Sequence, residues 1–310
     1  MTHRIDTHQH FVPPSYAKWL ASRGVDAGGM RTPEWTVEQA LSHMEVLGIS
    51  TAILSLSTPG VHLGDDAEAR ERAREMNEFA AGVVRQFPGR FGFFAVLPLP
   101  DVEGAIAEAR HALGRLEADG VVLLANAAQT YVGDPRWDPL MAELAQRNAV
   151  VFIHPSALAA DPVPGIPAYA ADFLLDTTRA AISLCRNGVL DRYPSLRILL
   201  SHAGGFVPFA AERMAQACSP ESHHADGLRR LRQFHYDVAV SSSPYALSAL
   251  LAFADGSRIT YGSDWPYAST RNGRHFARLL DEFPLPVRQR QAIERENALA
   301  LFPRLGRAGP

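Results

Sequence analysis

Five side chains in this 310-residue sequence could together hold a metal ion and move protons: His8, His10, His154, His202 and Asp264. Two of them lie in Ile5-Asp6-Thr7-His8-Gln9-His10-Phe11. Read as a strand, this stretch alternates faces with a period of two, so His8 and His10 point the same way with Asp6 behind them. Two imidazoles side by side at a strand end suit a divalent cation. Alone, the pair describes a frayed polar strand with two solvated histidines equally well. His154 closes the apolar run 149–154, His202 closes 196–202, and Asp264 closes 258–264. Singly, these are a strand-end histidine before Pro155, a tight turn before Ala203-Gly204-Gly205, and a turn cap before Trp265-Pro266. The remaining eight histidines fall on helices, loops or strand starts, so four at strand ends is a coincidence that isolated structural roles do not produce. Three imidazoles and a carboxylate suit zinc, with manganese or iron as alternatives. The expected ligands are His8, His10, His154 and Asp264. His202 is left free as an acid or base beside a metal that draws the pKa of bound water towards neutral.

The elements that must carry these residues are legible as eight short apolar runs: 4–11, 51–57, 91–97, 120–125, 149–154, 196–202, 234–240 and 258–264. Near-continuous apolar runs of this length suit parallel strands covered on both faces. Amphipathic stretches separate them. Asp65 can cap a helix whose apolar face runs Ala69, Ala73, Met76, Ala80, Val83, Val84 and Phe87, ended by Pro88-Gly89. Asp138-Pro139 and Ser243-Pro244 read as caps followed by proline at the first helical position. Strands and helices alternating eight times indicate a (β/α)₈ TIM barrel over residues 1–310 as one domain. A doubly wound open sheet is the alternative, weakened because the first strand leads into histidines and not into a Gly-rich phosphate turn. The long Pro- and Gly-rich connections 12–35 and 156–172 follow strands, which places them over the C-terminal mouth as walls or lids.

Composition narrows the classes. Apolar residues make up 47% and charged residues 20%, and the net charge of −3 leaves no electrostatic footprint for nucleic acid. No apolar run approaches a membrane span and the N-terminus has no signal-like pattern, so a soluble cytoplasmic protein is expected. Cys185 and Cys218 make no metal or redox spacing. Lys18 is the only lysine, so chemistry that needs a lysine in a core strand has no source.

The joint pattern resembles the amidohydrolase superfamily, which places HxH after the first strand, histidines after the fifth and sixth, and aspartate after the eighth. The wording Ile-Asp-Thr-His-Gln-His, Phe-Ile-His-Pro, Leu-Ser-His-Ala-Gly-Gly and Tyr-Gly-Ser-Asp-Trp-Pro is similar to the branch of aminocarboxymuconate-semialdehyde, 6-methylsalicylate and γ-resorcylate decarboxylases. The resemblance implies a metal-dependent, non-oxidative decarboxylase acting on a small-molecule carboxylic acid, with one divalent ion and no organic cofactor. It also implies a homodimer. Residue by residue, it gives His8, His10, His154 and Asp264 as ligands, Asp264 also as proton donor, and His202 as the catalytic histidine. Arg213 matches an arginine that in the semialdehyde decarboxylase reaches a neighbouring subunit's site. The sequence departs from that enzyme after His202, and it lacks a match for a second substrate arginine. A monocarboxylate such as a 2-hydroxybenzoate is therefore expected. Its ring would need an aromatic wall, for which Phe11, Trp35, Tyr131, Trp265 and Tyr267 are candidates, with Phe11 and Trp265 foremost.

The competing chemistry is hydrolysis or deamination by metal-activated water. Binuclear members bridge two metals with a carboxylated lysine or a glutamate; the run 120–125 ends in Leu124-Ala125 and supplies neither. Mononuclear deaminases place a glutamate just after a His-Ala-Gly, whereas Pro155 and Ser156 follow His154. Schiff-base chemistry fails for want of a core lysine.

Overall fold

The computed structural model describes residues 3–219 and 223–306. Among them, eight parallel strands pair in chain order: β1 (Arg4–His10), β2 (Ile49–Ser55), β3 (Phe91–Val96), β4 (Gly120–Leu124), β5 (Val150–His154), β6 (Arg197–Leu200), β7 (His235–Asp237) and β8 (Ile259–Thr260). The sheet curls until its ends meet. Thr7 N donates to Tyr261 O at 2.9 Å, Asp264 N to His8 O at 2.8 Å and His10 N to Trp265 O at 2.7 Å. Thr7 and Thr260 join their hydroxyls across the same seam at 2.8 Å. Strand order follows chain order without reversal and the edges are bonded together, so the architecture is the expected barrel and not the open sheet.

The helices form where the sequence supplies starts and stops. Asp65 accepts a hydrogen bond from Glu68 N at 2.8 Å, and Asp66–Gln86 runs from it until Phe87. Ser243 caps Pro244–Phe253 in the expected way. Asp138 does not cap. A single 3₁₀ turn, Pro135–Trp137, capped by Asp134, precedes Asp138–Gln146. The Asp138 carboxylate turns instead to Arg192 at 2.6 Å and Tyr193 at 2.8 Å. The connection 12–35 is likewise not all loop. Helix Pro14–Arg23 occupies its first half, started by a proline at the first helical position and stopped by Gly24 at φ +63°. Proline there loses no hydrogen bond, and only glycine adopts that stop without strain. Met30 in the second half and Tyr169 in the segment after β5 line one cavity with His154, His202 and Asp264.

The interior is a stack. At the N-terminal end of β1, Arg4 is buried with its guanidinium bonded to Glu294 at 2.9 and 3.1 Å, to Leu47 O at 3.1 Å, and to Asp281. Above it, Phe94 stacks on Phe152 with ring centroids 5.2 Å apart. Phe152 meets the edge of His8 at 4.9 Å. This aromatic floor closes the barrel below the histidines and keeps water from reaching them from beneath. Among the described residues no helix is long and apolar enough to cross a membrane.

Candidate metal centre

Four strand ends deliver polar side chains to one space: two from β1, and one each from β5, β6 and β8. His8 and His10 bring their Nε2 atoms to 3.1 Å of each other. Asp264 Oδ1 lies 3.3 Å from His8 Nε2 and 3.1 Å from His10 Nε2. The candidate ligand atoms of His8, His10, His154 and Asp264 all fall within 4.8 Å of one another.

Hydrogen bonds on the far side of each ring fix what these atoms are. His8 Nδ1 lies 2.8 Å from Asp237 Oδ2, His10 Nδ1 3.2 Å from Ser55 O, and His154 Nδ1 2.8 Å from Pro155 O. Carboxylates and carbonyls only accept, so all three rings donate from Nδ1, and the Nε2 of each turns to the shared centre. The Nε2 atoms of His8 and His10 crowd a single Asp264 oxygen, and His154 Nε2 is buried with no hydrogen-bond partner among the described residues. A cation among them answers each of these atoms at once, and three nitrogens with one carboxylate oxygen is an ordinary donor set for a divalent transition metal. The residues fit the ion that the sequence implies.

Electrostatics agrees. Burial would raise the Asp264 carboxyl, but hydrogen bonds from His10, His202 and His8 hold it well below the usual range. Burial, reinforced by neighbouring His10 and His8, keeps His154 well below a normal histidine and neutral. Burial also opposes charge on His8, but Asp237 and Asp264 outweigh it and push that ring up to about 10. A proton and a divalent cation would therefore compete for the same His8 nitrogen.

His202 stands outside this group, with Nε2 3.6 Å from Asp264 Oδ2 and Nδ1 buried without a partner. Both residues are held in left-handed backbone, His202 at φ +53° and Asp264 at φ +61°. Such conformations cost about 1–3 kcal/mol each in a residue with a side chain and concentrate at functional sites. Ala203, Gly204 and Gly205 continue the turn at φ +56°, +74° and +65°. A Cβ on Gly205 would sit 2.1 Å from Leu174 O, so the turn presses directly on the following layer.

A family model described as amidohydrolase matches residues 5–304. The chain belongs to the amidohydrolase family. Its similarity to decarboxylases within that family is extensive. It is 38% identical to the decarboxylase yanB of Aspergillus niger, over 97% of this chain and 88% of that protein. It is 37% identical to the 6-methylsalicylic acid decarboxylase acuB of Aspergillus aculeatus, over 98% and 97%. A crystal structure of a dihydroxybenzoic acid decarboxylase from a Polaromonas species, with bound manganese and the inhibitor 2-nitroresorcinol, shares the fold. Its TM-score is 0.79 at 24% identity, over 98% of this chain and 97% of that one.

The cavity above the candidate ligands has a volume of about 440 Å³ and is walled by Met30, Ser57, Tyr169, Phe173, Val240 and Tyr267. Met30 comes from the segment after β1, Tyr169 from the segment after β5 and Phe173 from the helix Asp172–Arg186 that follows it. Three expected substrate residues do not line it. Phe11 is buried against Phe79 and Trp35, with ring centroids 6.1 and 6.4 Å away. Trp265 stacks on His43 at 5.2 Å. The reason for Phe11 is the alternation that aims His10 inward and the next residue outward. Arg213 is exposed on the helix Val207–Ala215 and does not reach its own chain's cavity. Of the aromatic candidates, Tyr267 does line it, with its ring 5.4 Å from that of His10. The residue that sequence reasoning missed is Asp237. Following His235-Tyr236 it reads as the start of a turn, and nothing local marks it as the partner of His8, 229 residues away.

Proposed function

We propose that this protein is a metal-dependent, non-oxidative decarboxylase that releases CO₂ from a small ortho-hydroxylated benzoate such as 6-methylsalicylate. One observation carries the reading. Three imidazole nitrogens and an ionised carboxylate converge on one buried point, with a further histidine beside them under a cavity of about 440 Å³. Similarity to named decarboxylases over nearly the whole chain supports the choice of reaction.

His8, His10, His154 and Asp264 would hold the ion. When bound, a divalent cation supplies Lewis-acid attraction for the substrate carboxylate and the adjacent phenolic oxygen. The donor set favours zinc, with manganese as the alternative, and no organic cofactor is needed. The protein's own residues do the proton work. Asp264 turns Oδ1 to the imidazoles and Oδ2 towards His202, so a proton stored on His202 Nε2 can pass through Asp264 to the ring carbon that bears the carboxylate. The C–C bond then breaks, its electron pair returns to the ring, and CO₂ departs. Met30, Tyr169, Phe173 and Tyr267 hold the ring and exclude water. Hydrolysis by a carboxylated-lysine pair of metals has no residue to build it, because Lys18 is exposed on the helix Pro14–Arg23.

The reading extends to a cytoplasmic homodimer in which Arg213 serves the neighbouring subunit. Exposed Phe209, one turn before it, and exposed Tyr245 support a contact there. The test has two halves. Metal analysis of protein never exposed to chelator is expected to find about one equivalent per chain; finding none removes the metal. Ultraviolet assays are expected to show turnover of ortho-hydroxybenzoates, and turnover confined to lactones or amides would make the enzyme a hydrolase.

A further inference from the structure

Asp237 stands at the end of β7 with no exposure to solvent. Both its oxygens are spoken for, by different halves of the site. Oδ2 accepts from His8 Nδ1 at 2.8 Å. Oδ1 accepts from His202 N at 3.0 Å and from Ala239 N at 2.9 Å. The other two ligand histidines lean on main-chain carbonyls, so His8 alone among them is backed by a carboxylate. A carboxylate behind an imidazole fixes its tautomer and makes its outer nitrogen a stronger donor to metal. The other oxygen grips the backbone of His202 at the point where the chain enters its left-handed turn, whose strain needs such a hold to persist.

We propose that Asp237 is a positioning residue that couples the two halves: one oxygen sets the tautomer of a metal-binding histidine, and the other holds His202 at its distance from Asp264. The second part rests on the reading above that His202 handles the proton; the first does not. The two oxygens can be separated by substitution. In Asp237→Asn the amide oxygen can keep both backbone N–H groups. The amide nitrogen, which only donates, then faces His8 Nδ1. The ring is driven to the opposite tautomer, with a hydrogen on Nε2 where the metal would bind. Asp237→Ala removes both holds.

The experiment titrates Zn²⁺ and Mn²⁺ alone against a chromogenic chelator for the wild type and both variants, then measures kcat and KM at saturating metal. For Asp237→Asn the metal dissociation constant is expected to rise about 10–100-fold while kcat at saturating metal stays within about threefold of wild type. For Asp237→Ala the same loss of affinity is expected. In addition, kcat should fall by about a hundredfold or more, not restored by metal, with KM little changed. An asparagine variant that binds metal as tightly as wild type overturns the tautomer role. An alanine variant that regains full kcat with added metal overturns the hold on His202. Thermal melts of the metal-free proteins verify folding, and Asp237→Ser, too short to reach either partner, replaces the alanine variant if that one does not fold. If wild type binds metal but decarboxylates no aromatic acid, the functional reading falls, and the chelator titration still decides the tautomer role.

Discussion

Strand β1 buries polar groups at both of its ends and treats them in opposite ways. At the bottom, Arg4 is only 3% exposed and its guanidinium is met by Glu294, Asp281, a carbonyl and the face of Tyr261 at 5.1 Å. Every nitrogen of that guanidinium is answered from within the chain. At the top, His8 and His10 are fully buried and bring their Nε2 atoms to 3.1 Å of each other, with the orphaned His154 nitrogen beside them. A barrel end that is complete contributes stability, whereas one left incomplete is specified for something the chain does not contain. The lesson is to ask whether buried polar atoms are satisfied, not how many there are.

The largest effect expected from breaking this contrast is at the top. His154→Ala removes a proposed ligand whose Nε2 has no protein partner to miss, so the metal should be lost and turnover should fall to the detection limit, as metal analysis and an absorbance assay would show. His202→Ala comes next. It leaves the ligand set whole, so metal content stays at the wild-type level while kcat drops about 10²–10⁴-fold. An empty metal site in that variant would break the division of labour drawn here. At the bottom, Glu294→Ala leaves Arg4 buried with half its ion pairing gone. Stability should fall by about 3 kcal/mol in urea unfolding, with activity per folded molecule unchanged.

The smallest effect concerns pH, also at the bottom. Burial, helped by Arg258 and Arg197, pushes His235 down to about 3. Its Nε2 lies 3.2 Å from Arg258 Nη1, which can only donate, so the folded ring is neutral. The unfolded ring takes up a proton near pH 6.5, so stability is lost as pH falls from there towards 3, by at most about 1.4 kcal/mol per unit. His235→Phe should flatten that part of the curve relative to wild type, measured by urea melts of metal-loaded protein between pH 7 and 5. An unchanged slope would show that His235 is not the titrating group.

Much of this site was legible in the chain because a barrel turns a one-dimensional fact, which polar residue closes each apolar run, into a shared location. His8, His10, His154, His202 and Asp264 needed no other information to be grouped. Their spatial order around the rim and the left-handed turns at His202 and Asp264 were not legible, since positive φ in residues with side chains is imposed by surrounding contacts. Asp237 was invisible for the same reason: its importance lies in two hydrogen bonds to residues distant in sequence. Phe11 shows the opposite failure. The alternation that grouped the histidines already aimed Phe11 at the helix layer, and its aromatic character drew more weight than its parity. The helix Pro14–Arg23 was hidden because two adjacent prolines read as loop, although the second is where a helix tolerates proline best.

The seam between β1 and β8 also sets a schedule. His10 and Asp264, neighbours at 3.1 Å, are 254 residues apart in the chain. A ribosome adding about 5–20 residues per second brings the second out on the order of 10–50 seconds after the first. Throughout that interval the emerging first strand has a partner on one side only, and the two leading histidines have neither the carboxylate nor the wall that completes their pocket. The nascent chain therefore cannot assemble the full set of donors until its last strand has emerged.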